Sequence, residues 1–232
     1  MDLKKYFSCY NSVMQFHIIS VFPETLQTYA TSSILGRAQQ KRLLKINFYG
    51  LLDFTAPRKR VDDIPYGGGP GMVLSVGPVM RAMDQLFKKI KKRKDFTKTL
   101  IIIPKPGAKQ FTNRDAKSLS KNYSDIIFIA GRYEGIDERV KKIFKAKEFA
   151  IGELIVSGGE LPAMMMVDAI SRQISGVLGD SESLEESRAS SSAVYTRPAS
   201  YIYAGKKYSV PAVLRSGHHS KIELWRKKQN KK

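Results

Sequence analysis

Three short loops carry the residues most able to do chemistry: Pro104 to Gly107 (PKPG), Gly131 to Gly135 (GRYEG) and Ser157 to Pro162 (SGGELP). The first two follow apolar runs of strand length, Leu100 to Ile103 and Asp125 to Ala130. The third follows Phe149 to Val156, where a further strand is predicted. Glycine lets backbone amides approach a ligand closely. Open α/β sheets bind ligands beyond the carboxyl ends of their strands. Three such loops together point to a small-molecule site. Its ligand stays open, because neither G-x-G-x-x-G after the first strand nor G-x-x-x-x-G-K-[ST] is present.

Other groups suit proton transfer or hydrogen bonding. Asp62 and Asp63 precede a glycine run, YGGGPG. They are either acceptors for a ligand or turn-starting aspartates. Asp180, Glu182 and Glu186 sit in a Ser- and Glu-rich stretch, as functional acids or as solvated charges. Arg172 is either a functional cation or the partner of Asp168 at i,i+4. His17, His218, His219 and Cys9 show no metal-ligand spacing, so no metal site is predicted.

The elements that must position these loops alternate. Strands are predicted at Phe16 to Phe22 and Lys45 to Tyr49, beside the runs already named. Helical pieces are predicted from Glu24 to Leu44 with a break near Thr31 to Ser33. Further helices are predicted at Pro78 to Lys92, Asn113 to Ser120 and Pro162 to Ile174. Asp62 to Gly71 reads as a loop without regular structure. Strands alternating with helices predict an α/β domain with a mostly parallel sheet. The expected boundaries are an N-terminal extension at 1–13, the α/β domain at 14–178, a flexible linker at 179–193 and a small, basic, helical domain at 194–232.

The net charge is +19, which favours a polyanionic partner, most often nucleic acid. A single cysteine excludes disulfides within the chain and fits a reducing compartment. No apolar run is long enough to span a bilayer, and the first residues lack a signal-peptide pattern.

Six segments, in order, resemble the tRNA (guanine-N1)-methyltransferase family, TrmD. They are VDDIPYGGGPGMVL (Val61–Leu74), IAGRYEGIDERV (Ile129–Val140), IGELIVSGGELPAMMMVDAISR (Ile151–Arg172), SGVLGDSES (Ser175–Ser183), YTRP (Tyr195–Pro198) and VPAVLRSGHHSKIELWR (Val210–Arg226). The resemblance implies a SPOUT-type α/β fold with a deep trefoil knot and a small helical C-terminal domain. It implies a cytoplasmic homodimer, with no membrane contact, that methylates N1 of guanosine 37 in tRNA after a preceding guanosine. The implied cofactor is S-adenosylmethionine, with Mg2+ as a family-level option.

By resemblance, Ile103, Pro104, Gly107, Gly131, Tyr133, Glu134, Ile151, Gly152, Leu154, Val156, Gly158, Gly159 and Pro162 hold the cofactor. Glu134 would stabilise the sulfonium charge. The first loop departs from the family's Ser-Pro-Gln-Gly, keeping only the glycine. Arg172 aligns with an arginine that stabilises charge on guanine O6. Asp62, Asp63 and Arg132 fall where the family meets its RNA. A base must remove the N1 proton, and the family's linker aspartate aligns with Ser187. Either Glu186 takes that role, Asp180 or Glu182 does, or activity is reduced. Two rival readings follow. One is a cofactor-binding RNA-binding protein with little or no catalysis. The other is a related knotted enzyme acting on ribosomal RNA or a ribose hydroxyl, which the YGGGPG loop and the SGHHSKIELWR tail oppose.

Overall fold

The apolar runs become neighbouring parallel strands. The structure, a computed structural model, describes residues 13–93, 98–178 and 193–229. The chain divides into two units, Met1–Gly179 and Asp180–Lys232.

The first unit runs β1 (Met14–Ser20), α1 (Glu24–Thr31), α2 (Ser33–Gln40), β2 (Leu44–Gly50), β3 (Asp62–Asp63), β4 (Val73–Leu74) and α3 (Val76–Ile90). It continues with β5 (Thr99–Pro104), α4 (Asn113–Asn122), β6 (Asp125–Ile129), α5 (Glu138–Phe144), β7 (Lys147–Phe149) and α6 (Glu160–Ser171). Five strands form one sheet in the order β2-β1-β6-β5-β7, every pair parallel.

Successive strand residues point to opposite faces, and both faces are covered. Phe16, Ile18, Leu100, Ile102, Ile126 and Phe128 share one core with α1, α2, α4 and α6. Ile19, Ile101, Ile103, Ile127 and Ile129 share the other with α3 and α5. Burial on both faces explains why these strands read as continuous apolar runs. The α3 stripe of Val79, Met83, Leu86 and Ile90 is buried as its spacing predicts. A capping box between Thr112 and Asp115 starts α4.

Four details differ from the sequence expectation. Asp62 and Asp63 are not loop: β3 pairs antiparallel with β4, anchored by buried Val61 and Leu74 at its ends. The last strand of the sheet is Lys147–Phe149, ahead of the expected Phe149 to Val156. Beyond it Ala150 bridges Gln110, outside the sheet, and the chain bends through Ile151 to Glu153. The short helix α5 was not expected. It buries only Val140, too little for a readable period, and starts on Asp137, whose carboxylate accepts from Arg139 N at 2.9 Å.

The fourth concerns the second unit, expected to be helical. It opens with a hairpin of β8 (Ser200–Tyr203) and β9 (Lys206–Ser209), followed by α7 (Ala212–Arg215) and α8 (His219–Gln229). Ala204 at φ 49° and Gly205 at φ 76° supply the two left-handed residues that a tight hairpin turn requires.

One buried polar network lies within the α3 side of the sheet. His17 Nε2 meets Asp125 Oδ1 at 3.0 Å, and Arg93 Nη1 reaches the same oxygen at 2.5 Å. Burial lowers the His17 pKa, outweighing the Asp125 contact that raises it; Arg93 and Lys45 lower it further. The neutral form therefore belongs to the folded state. Its stabilising contribution is complete above the ordinary histidine value of 6.5 and is lost as pH falls below it. We predict a loss of up to about 1.4 kcal/mol per pH unit in that window, and a shallower loss in His17→Gln. Melting curves from about pH 5 to about pH 7.5 check this.

Candidate active site

Beyond the carboxyl ends of β6, β5 and β7 lies a cavity of about 490 Å³. Three of its walls are the loops that leave those strands. Ile103 and Pro104 end β5, Gly131 to Glu134 follow β6, and Ile151 to Gly159 follow β7. Of the residues expected to hold a cofactor, Ile103, Pro104, Gly131, Tyr133, Glu134, Ile151, Gly152, Leu154, Val156, Gly158, Gly159 and Pro162 all border this cavity. Gly107 does not; its φ of 74° serves the turn in which Ala108 N donates to Lys105 O at 3.4 Å.

Local backbone contacts hold the loops together. Gly159 N donates to Gly131 O at 2.7 Å, and Arg132 bridges antiparallel to Gly158. Tyr133 takes a left-handed φ of 59°, and Gly135 N closes the turn onto Arg132 O at 3.0 Å. The same turn is stapled to the glycine-rich loop. Glu134 N donates to Met72 O, Leu74 N to Gly135 O, and Asp137 N to Leu74 O, at 3.1, 3.0 and 3.0 Å. Gly71, at φ 82°, lies against the Glu134 side chain: a Cβ there would sit 2.6 Å from Glu134 Oε1. The segment expected to touch RNA and the segment expected to hold a cofactor are thus one connected surface.

The charged groups have defined partners. Asp62 is buried and takes a fork from Arg60, Nε at 2.7 Å and Nη2 at 3.1 Å. The Arg60 bond, aided by the Tyr133 hydroxyl, holds its carboxyl below the usual range against the opposing effect of burial. Burial and the same contact push the Tyr133 hydroxyl up. Asp63 is exposed and, among the described residues, accepts only from Ile64 N. Arg132 borders the cavity beside Tyr133.

Arg172 lies at the carboxyl end of α6 and does not border the cavity. Asp168 does not pair with it, since Tyr29 Oη donates to Asp168 Oδ2 at 2.5 Å. The base candidates Glu186 and Ser187, with Asp180 and Glu182, lie outside the described residues. No group of three or more His, Cys, Asp or Glu side chains suited to a metal occurs among the described residues.

Two acids here were not expected from the sequence. Glu148 borders the cavity and joins Lys105 Nζ at 2.9 Å to Lys141 Nζ at 2.7 Å. Burial raises its pKa, but the two lysines outweigh that and hold it below the ordinary value. Its partners lie far apart in sequence, so no local pattern marks it. Glu160 is buried under the Ser157–Gly159 turn. One signal could have found it: a charge opening an otherwise apolar, buried helix needs a partner.

The cavity suits a nucleoside-like cofactor. Its volume is in the range of small-molecule sites. Ile103, Ile151, Leu154 and Val156 offer apolar contact, the glycine turns offer backbone groups, and Glu134 offers a carboxylate.

The parallel sheet, with glycine loops meeting at its strand ends, is consistent with the SPOUT class of α/β methyltransferases and matches the fold of a solved tRNA methyltransferase. Within that class the chain belongs to the tRNA (Guanine-1)-methyltransferase TrmD family, whose model matches residues 14–232. It is 43% identical over 220 residues to the tRNA (guanine-N(1)-)-methyltransferase of Pseudoalteromonas atlantica, covering 93% of this chain and 79% of that protein. It is 42% identical over 222 residues to the enzyme of the same name from Carboxydothermus hydrogenoformans, covering 94% and 83%. Among solved structures, the tRNA (m1G37) methyltransferase of Aquifex aeolicus superposes with a TM-score of 0.75 at 37% identity, covering 92% of this chain and 87% of that one.

Proposed function

We propose that this chain methylates N1 of guanosine 37 in tRNA when guanosine precedes it, with S-adenosylmethionine as donor. The observation that carries this reading is the cavity itself: nearly every residue of the three loops meets there, at the strand ends of one parallel sheet. The relatives named above act on guanine N1 of tRNA, and the Aquifex protein on position 37.

The bound cofactor supplies a methyl group carried on a sulfonium. The Gly131–Glu134 turn and the Ile151–Gly159 loop hold it, with the Glu134 carboxylate balancing positive charge nearby. Asp62, oriented by Arg60 and Tyr133, accepts from a guanine N–H. Arg172 carries a permanent charge suited to a developing O6 anion. A linker acid, Glu186 foremost, takes the N1 proton; without that step N1 has no free lone pair.

A homodimer fits the same reading. Leu161 and Met165 stand exposed four residues apart on α6, at 62% and 55%. The net charge of +19 suits tRNA, and a cytoplasmic setting follows from that substrate. No helix among the described residues is long and apolar enough to cross a membrane. A Mg2+ requirement rests on the family resemblance alone.

The test uses purified protein, labelled S-adenosylmethionine and tRNA transcripts with guanosine or adenosine at position 37. Label is expected in the guanosine transcript only, on N1. Equal labelling of both, or cofactor binding without transfer to either, overturns the proposal.

A further inference from the structure

Glu160 is the first residue of α6 and is 3% exposed. Its Oε1 accepts two hydrogen bonds, from Ser20 Oγ at 2.7 Å and from Arg132 Nε at 3.0 Å. Its Oε2 has no hydrogen-bond partner among the described residues. Burying a carboxylate oxygen without a donor is unfavourable. The contact with Arg132 offsets part of that cost. The amino end of α6 favours an anion, and Arg132 needs one.

Arg132 is held from three directions. Nε bonds Glu160, Nη1 lies 3.5 Å from Ser157 O, and the guanidinium stacks over the Phe22 ring at 4.9 Å. Two other arginines in this chain close on carboxylates as forks. Arg60 uses Nε and Nη2 on Asp62, and Arg139 uses Nε and Nη2 on Asp137. Arg132 grips Glu160 through Nε alone. Its side chain stays 23% exposed at the cavity edge, with Nη2 unbonded among the described residues. Gly158 makes room for the pair: a Cβ there would lie 2.3 Å from Glu160 Oε2 and 2.6 Å from Arg132 Nε.

We propose that Glu160 is a positioning residue for the methyl-transfer reaction. Through one carboxylate oxygen it sets Arg132 so that the Nη edge of the guanidinium meets an acceptor oxygen of the bound RNA. Ser20, at the end of β1, fixes the carboxylate in turn. Glu160 does not itself border the cavity, whereas Arg132 does. The inference rests on the tRNA methylation proposed above.

The experiment compares wild type, Glu160→Gln, Arg132→Ala and the double variant in the full chain. It reads kcat and KM for tRNA, together with calorimetric affinity for S-adenosylhomocysteine. Glu160→Gln keeps the shape and one acceptor but removes the charge. It is expected to raise KM for tRNA about tenfold with kcat within about threefold. Arg132→Ala should do at least as much. The double variant should be no worse than Arg132→Ala, because both changes remove one interaction. S-adenosylhomocysteine affinity should not move in Glu160→Gln, which leaves every cavity-lining side chain in place. A phosphate acceptor would lower the salt dependence of tRNA binding by about one contact in the variants, whereas guanine O6 would leave it unchanged.

Weakened S-adenosylhomocysteine binding in Glu160→Gln, additive losses in the double variant, or failure of Glu160→Gln to fold would overturn the proposal, since each marks a purely structural role. If wild type binds tRNA without methylating it, the proposed reaction falls instead. Filter-binding affinities for the same four proteins then carry the comparison.

Discussion

Gly159→Ala is expected to abolish measurable binding of S-adenosylhomocysteine and to lower the melting temperature. The backbone of Gly159 has an ordinary φ of −74°, so conformation does not require glycine there. Space does. An added Cβ would lie 2.8 Å from Gly131 N, 2.9 Å from Ala130 Cα and 3.2 Å from Ala130 C. All three are backbone atoms just past the central strand β6, where no flexible side chain gives way. Relief requires the Ser157–Gly159 turn to move outward and to break the 2.7 Å bond from Gly159 N to Gly131 O. Overpacking costs about 1–3 kcal/mol and a broken buried hydrogen bond about 1–3 kcal/mol. For a chain of this size the melting temperature should fall by roughly 5–15 °C. The cavity wall moves with the turn, so binding fails first. Gly107→Ala is the control: nothing lies within 4 Å of its Cβ, and only the strain of φ 74° remains. Calorimetry on both variants decides. Undiminished binding in Gly159→Ala would refute this account of the wall.

Asp62→Asn is expected to lower kcat/KM for tRNA by about 30- to 100-fold, the equivalent of one charged hydrogen bond of about 2–3 kcal/mol. Asparagine keeps the shape but turns one acceptor oxygen into a donor, facing Arg60 and the Tyr133 hydroxyl. The side chain then rotates or loses its fork, and its lone pairs are no longer offered to the guanine in the proposed contact. Folding should suffer less than activity: Asp62 is buried, but asparagine keeps one acceptor oxygen for Arg60, whose side chain is 72% exposed. The pH dependence has a definite sign. The Arg60 bond depresses the Asp62 pKa, so its contribution is present above the ordinary aspartate value of 3.8 and is lost as pH falls through the lower folded value. The variant should therefore differ from wild type least in strong acid. Steady-state kinetics beside melting curves check both halves. A variant with kcat/KM within about threefold of wild type would remove Asp62 from the substrate contact.

Much of this architecture is legible in the residues. Runs such as Ile101–Ile103 and Ile126–Ile129 are apolar on both faces, as a covered parallel sheet demands. The stripe on α3 carries its own period. Helix α5 escapes because seven residues with one buried side chain hold no period to read. The strand at Lys147–Phe149 is misplaced for a related reason: its apolar neighbours Ile151 to Val156 line the cavity and are not in the sheet. The glycine loops announce a site because glycine has few other reasons to cluster at strand ends. Its electrostatics are another matter. Glu148 pairs with Lys105 and Lys141, and Glu160 with Ser20 and Arg132. Apart from Lys141, seven residues before Glu148, these partners are brought together from distant parts of the chain, so local spacing does not encode them.

Gly71 and Glu134 carry a consequence for how such a chain drifts over generations. Each occupies space that the other would otherwise fill, since any side chain at position 71 begins within 2.7 Å of the Glu134 Cγ. The φ of 82° at Gly71 adds a second restriction of its own. Neither position is therefore free to explore alternatives alone. A lineage that lengthened residue 71 would first have to shorten residue 134, and in doing so would surrender the carboxylate at the cavity edge. The intermediate is penalised whichever change comes first, so each position restricts what the other can become.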